Sequence, residues 1–335
     1  MSVETTASSP PESPVKPQPL ANPWVQYGLR RLGRLLGSLW VLVTASFLML
    51  HLIPGDPVRG ALGPTAPAEL VEARREALGL NDPIFTQYIT YLKGLFTGDF
   101  GTSLGSQLPV SDVIGQRLPA TLTLAAVAFL AAVAIAIPLG VTMGVLTRRG
   151  RGRRTELAFT TSSVVVATIP DFLIGVTLVY VFGIRLELLP VAGNDTFAAH
   201  VLPVISLAIG PAAILARIVR VEMVGVLEAD YVRTARAKRL PARKIYLGHA
   251  LPNAVTASLT VGGLLLGALI TGTVLVENVF AWPGLGSTIV QSILTKDYPV
   301  VQGIVLVYGL GVLVINLIVD VALALLDPRS KIRED

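Results

Sequence analysis

Cysteine is absent from this 335-residue chain. That excludes disulfides, thiolate zinc or iron–sulfur sites and a cysteine nucleophile. Histidine is nearly absent too. His51, His200 and His249 lie far apart and none has metal-ligand spacing, so a metalloenzyme is not expected. No G-x-x-x-x-G-K-S/T phosphate loop occurs. The run 148–154 contains Gly150 and Gly152 but no lysine and no preceding strand, so the chain itself is not expected to bind ATP. Charge is scarce at 15%, against about 25% in soluble domains. Aromatic residues do not interleave the Arg149 cluster as a nucleic-acid surface would want. A nucleic-acid partner is therefore excluded, although the net charge is +5.

What the chain has is apolar length. Hydrophobic residues make up 52%. A hydrocarbon core about 30 Å thick needs about 20 mostly apolar helical residues. Charge-free runs cover 35–53, 118–147, 196–216, 250–276 and 298–319, and a sixth stretch, 157–184, carries only Asp171. Buried helices of a large soluble enzyme would not recur six times. In lipid every backbone polar group must be paired internally, so the spans are expected to be α-helices. Alternating strands for a barrel do not appear.

Arginine and lysine in the short loops set the expected orientation. Arg148, Arg149, Arg151, Arg153 and Arg154 follow the second span. Arg233, Arg236, Lys238, Arg239, Arg243 and Lys244 follow the fourth, with Arg217 and Arg220 at its entrance. The two short alternate loops hold only one each, Arg185 and Lys296. Arg30, Arg31 and Arg34 precede the first span, and Arg329, Lys331 and Arg333 follow the last. Both termini and both basic loops are expected to be cytoplasmic.

Residues 1–23 hold Pro10, Pro11, Pro14, Pro17, Pro19 and Pro23 and are expected to form a disordered cytoplasmic tail. No apolar h-region precedes Arg30, so a cleavable signal peptide is not expected and 24–53 should remain as the first transmembrane helix. Residues 54–117 form an outer segment. Thr65 and Pro67 can start a helix that Gly79 ends, with Leu70, Ala73, Ala77 and Leu78 as its apolar stripe. A second helix fits 84–96, with Phe85, Tyr88, Ile89, Leu92, Leu95 and Phe96 at helical spacing. Both could lie on the membrane face, on a partner, or as a cap on the bundle. Residues 118–326 form the five-helix core, and 327–335 a cytoplasmic C-terminus.

Within that core, 221–252 is a basic loop. Helix formers dominate up to Leu240, and Pro241 can open a second helix at its first position. Leu227, Tyr231, Ala235 and Leu240 fall roughly on one side, and Arg233, Arg236, Lys238 and Arg239 make the rest cationic. Such a helix suits docking against another protein or resting on lipid headgroups.

At this loop the sequence resembles a known family. Glu228-Ala229-Asp230-Tyr231-Val232-Arg233-Thr234-Ala235-Arg236-Ala237-Lys238, followed by His249-Ala250-Leu251-Pro252-Asn253, is similar to the "EAA" loop of ABC-importer permeases, most of all the dipeptide/oligopeptide branch. Other matching stretches follow in order. They are Leu52-Ile53-Pro54-Gly55-Asp56-Pro57, Gly79-Leu80, Asp82-Pro83, Gln87-Tyr88, Gly98-Asp99-Phe100-Gly101 and Arg117-Leu118-Pro119-Ala120-Thr121-Leu122. Ile169-Pro170 with Phe172, Glu277, Phe280, Trp282-Pro283-Gly284, Gly286 and Asp327-Pro328-Arg329 complete the set.

The resemblance implies an all-α membrane protein of six transmembrane helices, with the type I ABC-importer permease fold and its coupling loop. It implies a transport subunit rather than an enzyme, placed in the bacterial plasma (inner) membrane, carrying di- or oligopeptides. A nickel chelate, opine or similar solute is the alternative cargo. No cofactor is expected in this chain, because ATP and Mg would be bound by partner subunits. The implied partners are two ATP-binding ABC subunits, a homologous second permease subunit and an extracytoplasmic peptide-binding protein, besides the lipid bilayer. The coupling residues would be Glu228, Ala229, Asp230, Thr234, Ala235, Ala237, Arg239 and Leu240, on a helix over 228–240. Arg239 departs from the family, which usually has glycine at that turn. In a left-handed conformation it would cost on the order of 1 kcal/mol.

Ionisable groups inside spans are candidate functional sites. Asp171, one residue after Pro170, could line the translocation path and meet a peptide's amino terminus, or hydrogen-bond to a neighbouring helix. Glu277 is expected to tie down the 280–286 loop, and Asp320 to be structural. Gly262, Gly263, Gly267 and Gly272 suit close helix packing within the chain. A secondary transporter would need inverted repeats and an ion site, and none is visible. An intramembrane aspartyl protease would need a second deep carboxylate, which is missing. A plain membrane scaffold would not need the cationic loop.

Overall fold

In the computed structural model, residues 23–52, 57–63, 65–77, 79–150 and 152–326 are described. The tail expected over most of 1–23, the Ile53–Asp56 part of the first motif, Leu78, Arg151 and the segment 327–335 lie outside them.

The described residues are helical, with one isolated bridge between Thr102 and Pro109. Five helices are long and apolar enough to cross a membrane: α1 (Pro23–Leu52), α5 (Val110–Thr147), α8 (Phe197–Glu228), α10 (Leu251–Val279) and α12 (Tyr298–Leu326). Between α1 and α5 lie α2 (Pro57–Leu62), α3 (Ala68–Ala77) and α4 (Ile84–Thr97). The third apolar stretch is not one continuous helix. It is α6 (Arg153–Thr168) and α7 (Asp171–Leu178), the latter extended by a π-helical stretch Val179–Arg185, and the two arms meet at 90°. Proline explains the break. Ile169 before it is driven to extended backbone (φ −72°, ψ 125°), and Pro170 cannot donate to the helix ladder. The pair makes the sixth crossing when counted as one span.

Small residues let α5 and α8 pack closely. A β-carbon on Gly140 would come within 2.6 Å of the Ala216 carbonyl oxygen, and one on Gly144 within 2.7 Å of Met223 Cβ. Gly263 likewise faces Val319 of α12 with no room for a side chain. At least this part of the expected glycine packing is within the chain. Asp320 of α12 pairs with Arg31 of α1, so it is structural, as expected.

The outer segment differs from its sequence reading in detail. Val71, not Leu70, is the buried residue of α3, and Leu70, Ala73 and Ala77 are exposed. The short α2, with Val58 buried, was not foreseen. Helix α4 packs along α1. Tyr88 Oη and Thr44 Oγ1 are 2.8 Å apart, the Phe47 ring contacts Tyr88 and Tyr91, and His51 Nε2 meets Gln87 Oε1 at 3.1 Å. It covers α1 instead of lying free. Helix α5 starts at Val110, eight residues before the charge-free run.

Candidate functional site

Two places were singled out by sequence: the basic loop and Asp171. In the loop, Glu228 is the last residue of α8 and not the first turn of the docking helix. Ala229 is extended (ψ 151°), and a separate short helix α9 runs Asp230–Ala237. Lys238 and Arg239 turn the chain, with Arg239 at φ 54°. The arginine therefore does take the left-handed conformation that glycine would adopt without strain, and carries about 1 kcal/mol of it. The next helix starts one residue later than expected. The Pro241 carbonyl accepts from the Lys244 and Ile245 amides at 2.9 and 3.1 Å, which makes it the capping residue.

The buried side of α9 is also shifted. Val232 and Ala235 are buried in a cluster with Val219, Met223, Leu227, Ile245, Ala250 and Ala254, and Leu240 packs against it. Tyr231, expected on that side, is 45% exposed. The sequence reading placed it with Leu227 by i, i+4 spacing. The spacing fails because the helix is interrupted at Ala229. Asp230, Arg233, Thr234, Ala237, Lys238 and Arg239 are exposed together with Glu228. Arg233 pairs with Asp230 at 3.1 Å. Ala235, one of the coupling residues implied by the resemblance, faces this chain's own core.

Arg236 turns inward as well. Its Nη2 is buried with no hydrogen-bond partner among the described residues. Burial, then the nearby charge of Arg148, holds its guanidinium below the ordinary value. Tyr246 opposes that shift and Arg149 adds to it. Arg220 bonds Thr147 Oγ1 at 2.9 Å and Glu156 at 2.7 Å, joining the ends of α5, α6 and α8.

Asp171 opens α7 directly after the break. Its backbone carbonyl accepts from Ser206 Oγ of α8 at 2.5 Å. Its carboxylate lies between two helix glycines: added β-carbons at Gly210 and Gly272 would stand 3.3 Å and 3.7 Å from its two oxygens. The carboxylate accepts no hydrogen bond among the described residues, and the side chain is partly exposed. Asp171 is thus bonded to the neighbouring α8 through its backbone carbonyl, while its carboxylate has no hydrogen-bond partner among the described residues.

At the opposite end of the bundle the sequence motifs fall together. Glu277 is fully buried. It accepts from Thr121 Oγ1 (2.7 Å), the Gly286 amide (2.6 Å) and the Ser287 amide (3.1 Å). It thereby holds α11 (Leu285–Leu294) by its first turn. Gly284 and Gly286 leave room for that carboxylate, since a β-carbon at either would overlap it. Trp282 donates to the Ala120 carbonyl at 3.1 Å. Sequence reasoning missed a second such lock. Asp297 accepts from Ser103 Oγ, the Leu104 amide and the Gly105 amide, fastening the outer segment to the start of α12.

No group of three or more His, Asp or Glu that could hold a metal occurs among the described residues. The arrangement is an integral-membrane helix bundle with one internally locked end and a short cationic helix at the other. It has the architecture of a transport subunit. Residues 136–332 match the family model "Binding-protein-dependent transport system inner membrane component", and residues 25–125 match its N-terminal companion. The glutathione transport system permease protein GsiC of Escherichia coli (strain K12) is 38% identical over 92% of this chain and 99% of its own length. GsiC of Shigella flexneri serotype 5b (strain 8401) is 38% identical over the same shares. The inward-facing MetNI methionine ABC transporter shares the fold at a TM-score of 0.54, with 20% identity over 64% of this chain and 96% of that one. The chain belongs to the binding-protein-dependent permease family, in its dipeptide/oligopeptide branch. It is a multi-pass inner-membrane permease subunit of an ABC importer, not itself an enzyme. Such a permease works in a complex with ATPase and substrate-binding partners.

Proposed function

We propose that this subunit forms half of a translocation path for di- or oligopeptides, and that α9 couples the path to ATP hydrolysis by a separate subunit. The peptide cargo is supported by the likeness to GsiC, whose name gives the tripeptide glutathione as its cargo. The coupling role rests on one observation above all. Asp230, Thr234 and Ala237 are exposed on a helix, and Lys238 and Arg239 on the turn after it, while the helix's other side, Val232 and Ala235, is built into the ends of α8 and α10. A push on the exposed face is therefore transmitted to two membrane-crossing helices at once. Glu228, Ala229 and Leu240 flank this face and complete the contact. Two ATP-binding ABC subunits, a homologous second permease and an extracytoplasmic peptide-binding protein make up the assembly. ATP and Mg reside in those ATPase partners. Both termini and both basic loops face the cytoplasm, because arginine concentrates at that end of the bundle.

Peptide delivered from outside enters between the two permeases. Rocking of the subunits, driven by closure of the ATPase dimer, alternates access. Asp171 lines that path, and its carboxylate meets the peptide's amino terminus. An uptake assay on the assembled complex with a peptide series tests the reading. Peptides compete with one another and stimulate ATP hydrolysis if it is right. Transport of a nickel chelate or an opine with no response to any peptide overturns the cargo. Failure of the ATPase subunits to copurify overturns the coupling.

A further inference from the structure

We propose that Ser206 of α8 is a positioning residue for Asp171: its hydroxyl, bonded to the first turn of α7, holds the Asp171 carboxylate where a peptide's amino terminus can pair with it. This role rests on the reading that Asp171 lines the translocation path.

The need for an anchor comes from the break in the third span. Ile169 is extended and Pro170 donates nothing to a helix ladder, so α7 starts afresh at Asp171, at 90° to α6. Its first turn has no preceding turn to hold it. Ser206 supplies the hold. It is fully buried, and its Oγ donates to the Asp171 backbone carbonyl at 2.5 Å. A helix serine or threonine can instead return its hydroxyl to a carbonyl of its own helix three or four residues back. Thr142, Thr168, Thr177 and Ser258 do so in this chain. A buried hydroxyl must bond somewhere, but a carbonyl of α8 would have served. The bond that crosses to α7 therefore fixes one helix to the other.

The surroundings are shaped to the same end. A β-carbon on Gly175, one turn after Asp171, would stand 3.1 Å from Ser206 Oγ and 3.1 Å from Phe280 Cε2. That glycine opens the notch in which α7 seats against α8. Gly210 lies one turn after Ser206 on the same face of α8. A β-carbon there would stand 3.3 Å from Asp171 Oδ1. One face of α8 thus fixes the backbone of Asp171 with Ser206 and leaves room for its carboxylate at Gly210. The carboxylate has no donor among the described residues and is partly exposed, so its direction is set by its backbone and this packing. A charge held in place beforehand meets a ligand without the cost of being ordered.

The test is dipeptide uptake by the assembled complex in proteoliposomes, with Ser206 changed in two backgrounds. In the otherwise native chain, Ser206→Ala should lower uptake about three- to tenfold, the loss expected for one hydrogen bond. In an Asp171→Asn background the same substitution should lower uptake no further, although the melting temperature falls equally in both. Should Ser206→Ala fail to assemble, Ser206→Cys, which keeps the size and weakens the donor, is read in the same two backgrounds with the same expectation. An equal further loss of uptake in both backgrounds would make Ser206 a packing residue and overturn the positioning role. So would wild-type uptake by the Ser206 variants while Asp171→Asn is impaired, and Asp171 would then keep its place in the path. Wild-type uptake by Asp171→Asn itself would overturn the reading of Asp171, and the role of Ser206 with it.

Discussion

Two carboxylates in this bundle have opposite surroundings, and that difference separates their roles. Glu277 is enclosed and its oxygens are occupied by a hydroxyl and two amides. Asp171 sits in a glycine-lined niche with no donor among the described residues. The first is architecture. Glu277→Ala should destabilise the chain by about 1–3 kcal/mol for each buried donor it leaves without an acceptor. It should lower the melting temperature in detergent, while Glu277→Gln, which keeps one acceptor oxygen, should lose less. The second is available to a ligand. Asp171→Asn should leave the melting temperature unchanged and reduce peptide uptake by about ten- to a hundredfold, since a hydrogen bond to a charged group contributes about 1.5–3 kcal/mol. Unchanged uptake for every peptide would remove Asp171 from the path. Residues of both kinds were visible in the sequence as rare charges in apolar runs. Their partners were not. Thr121 and Glu277 are brought together from 156 positions apart, and no local pattern encodes such a meeting.

At the scale of elements, local rules located helices well and misjudged faces where a helix stops. Helix α4 was legible to within a residue because its apolar positions repeat at helical spacing between Pro83 and Gly98. The docking helix was read as 228–240, and its phase was carried across Ala229, where the backbone is extended. That single break rotates Tyr231 out and Val232 in. It also changes what a substitution can report. Ala235→Trp must fail by overpacking this chain's own core, typically by 1–3 kcal/mol or more, so lost transport there would say nothing about a partner. Ala237 is exposed on the same helix. Ala237→Trp should leave the melting temperature unaltered and abolish peptide-stimulated ATP hydrolysis in the complex. Full stimulation in that variant would take the coupling role away from α9. Arg239→Gly should do the reverse of damage. It relieves a left-handed conformation (φ 54°) and should stabilise by about 1 kcal/mol, read as a rise of a few degrees in melting temperature.

At the scale of the whole molecule, the sequence was read as six crossings with 157–184 as one of them, and the right-angle bend between α6 and α7 raises the question whether that pair crosses the membrane or returns to the side it came from. Contacts at the two ends of the bundle decide it. Arg220 bonds Thr147 at the end of α5 and Glu156 in the first turn of α6, so the late part of α8 lies at the end where α6 begins. At 1.5 Å per residue, the start of α8 is about 35 Å away from Arg220. There His200 meets Trp282 edge-on, with ring centroids 4.7 Å apart, and the Gly193 amide bonds the Phe280 carbonyl. The chain between α6 and α8 therefore travels from one end to the other, and the pair is one crossing despite its right-angle bend. A re-entrant pair would instead place the two arginine-rich loops on opposite sides, against the bias that orients membrane proteins. The native chain has no cysteine, so single introduced cysteines report without background. Arg153→Cys and Lys238→Cys, both at exposed positions, should react with a membrane-impermeant maleimide only after cells are permeabilised. Asp195→Cys, in the exposed loop before α8, should react in intact cells. Labelling of Lys238→Cys but not Asp195→Cys from outside would make the pair re-entrant and remove α9 from reach of any cytoplasmic ATPase, because a five-crossing path turns α8 around.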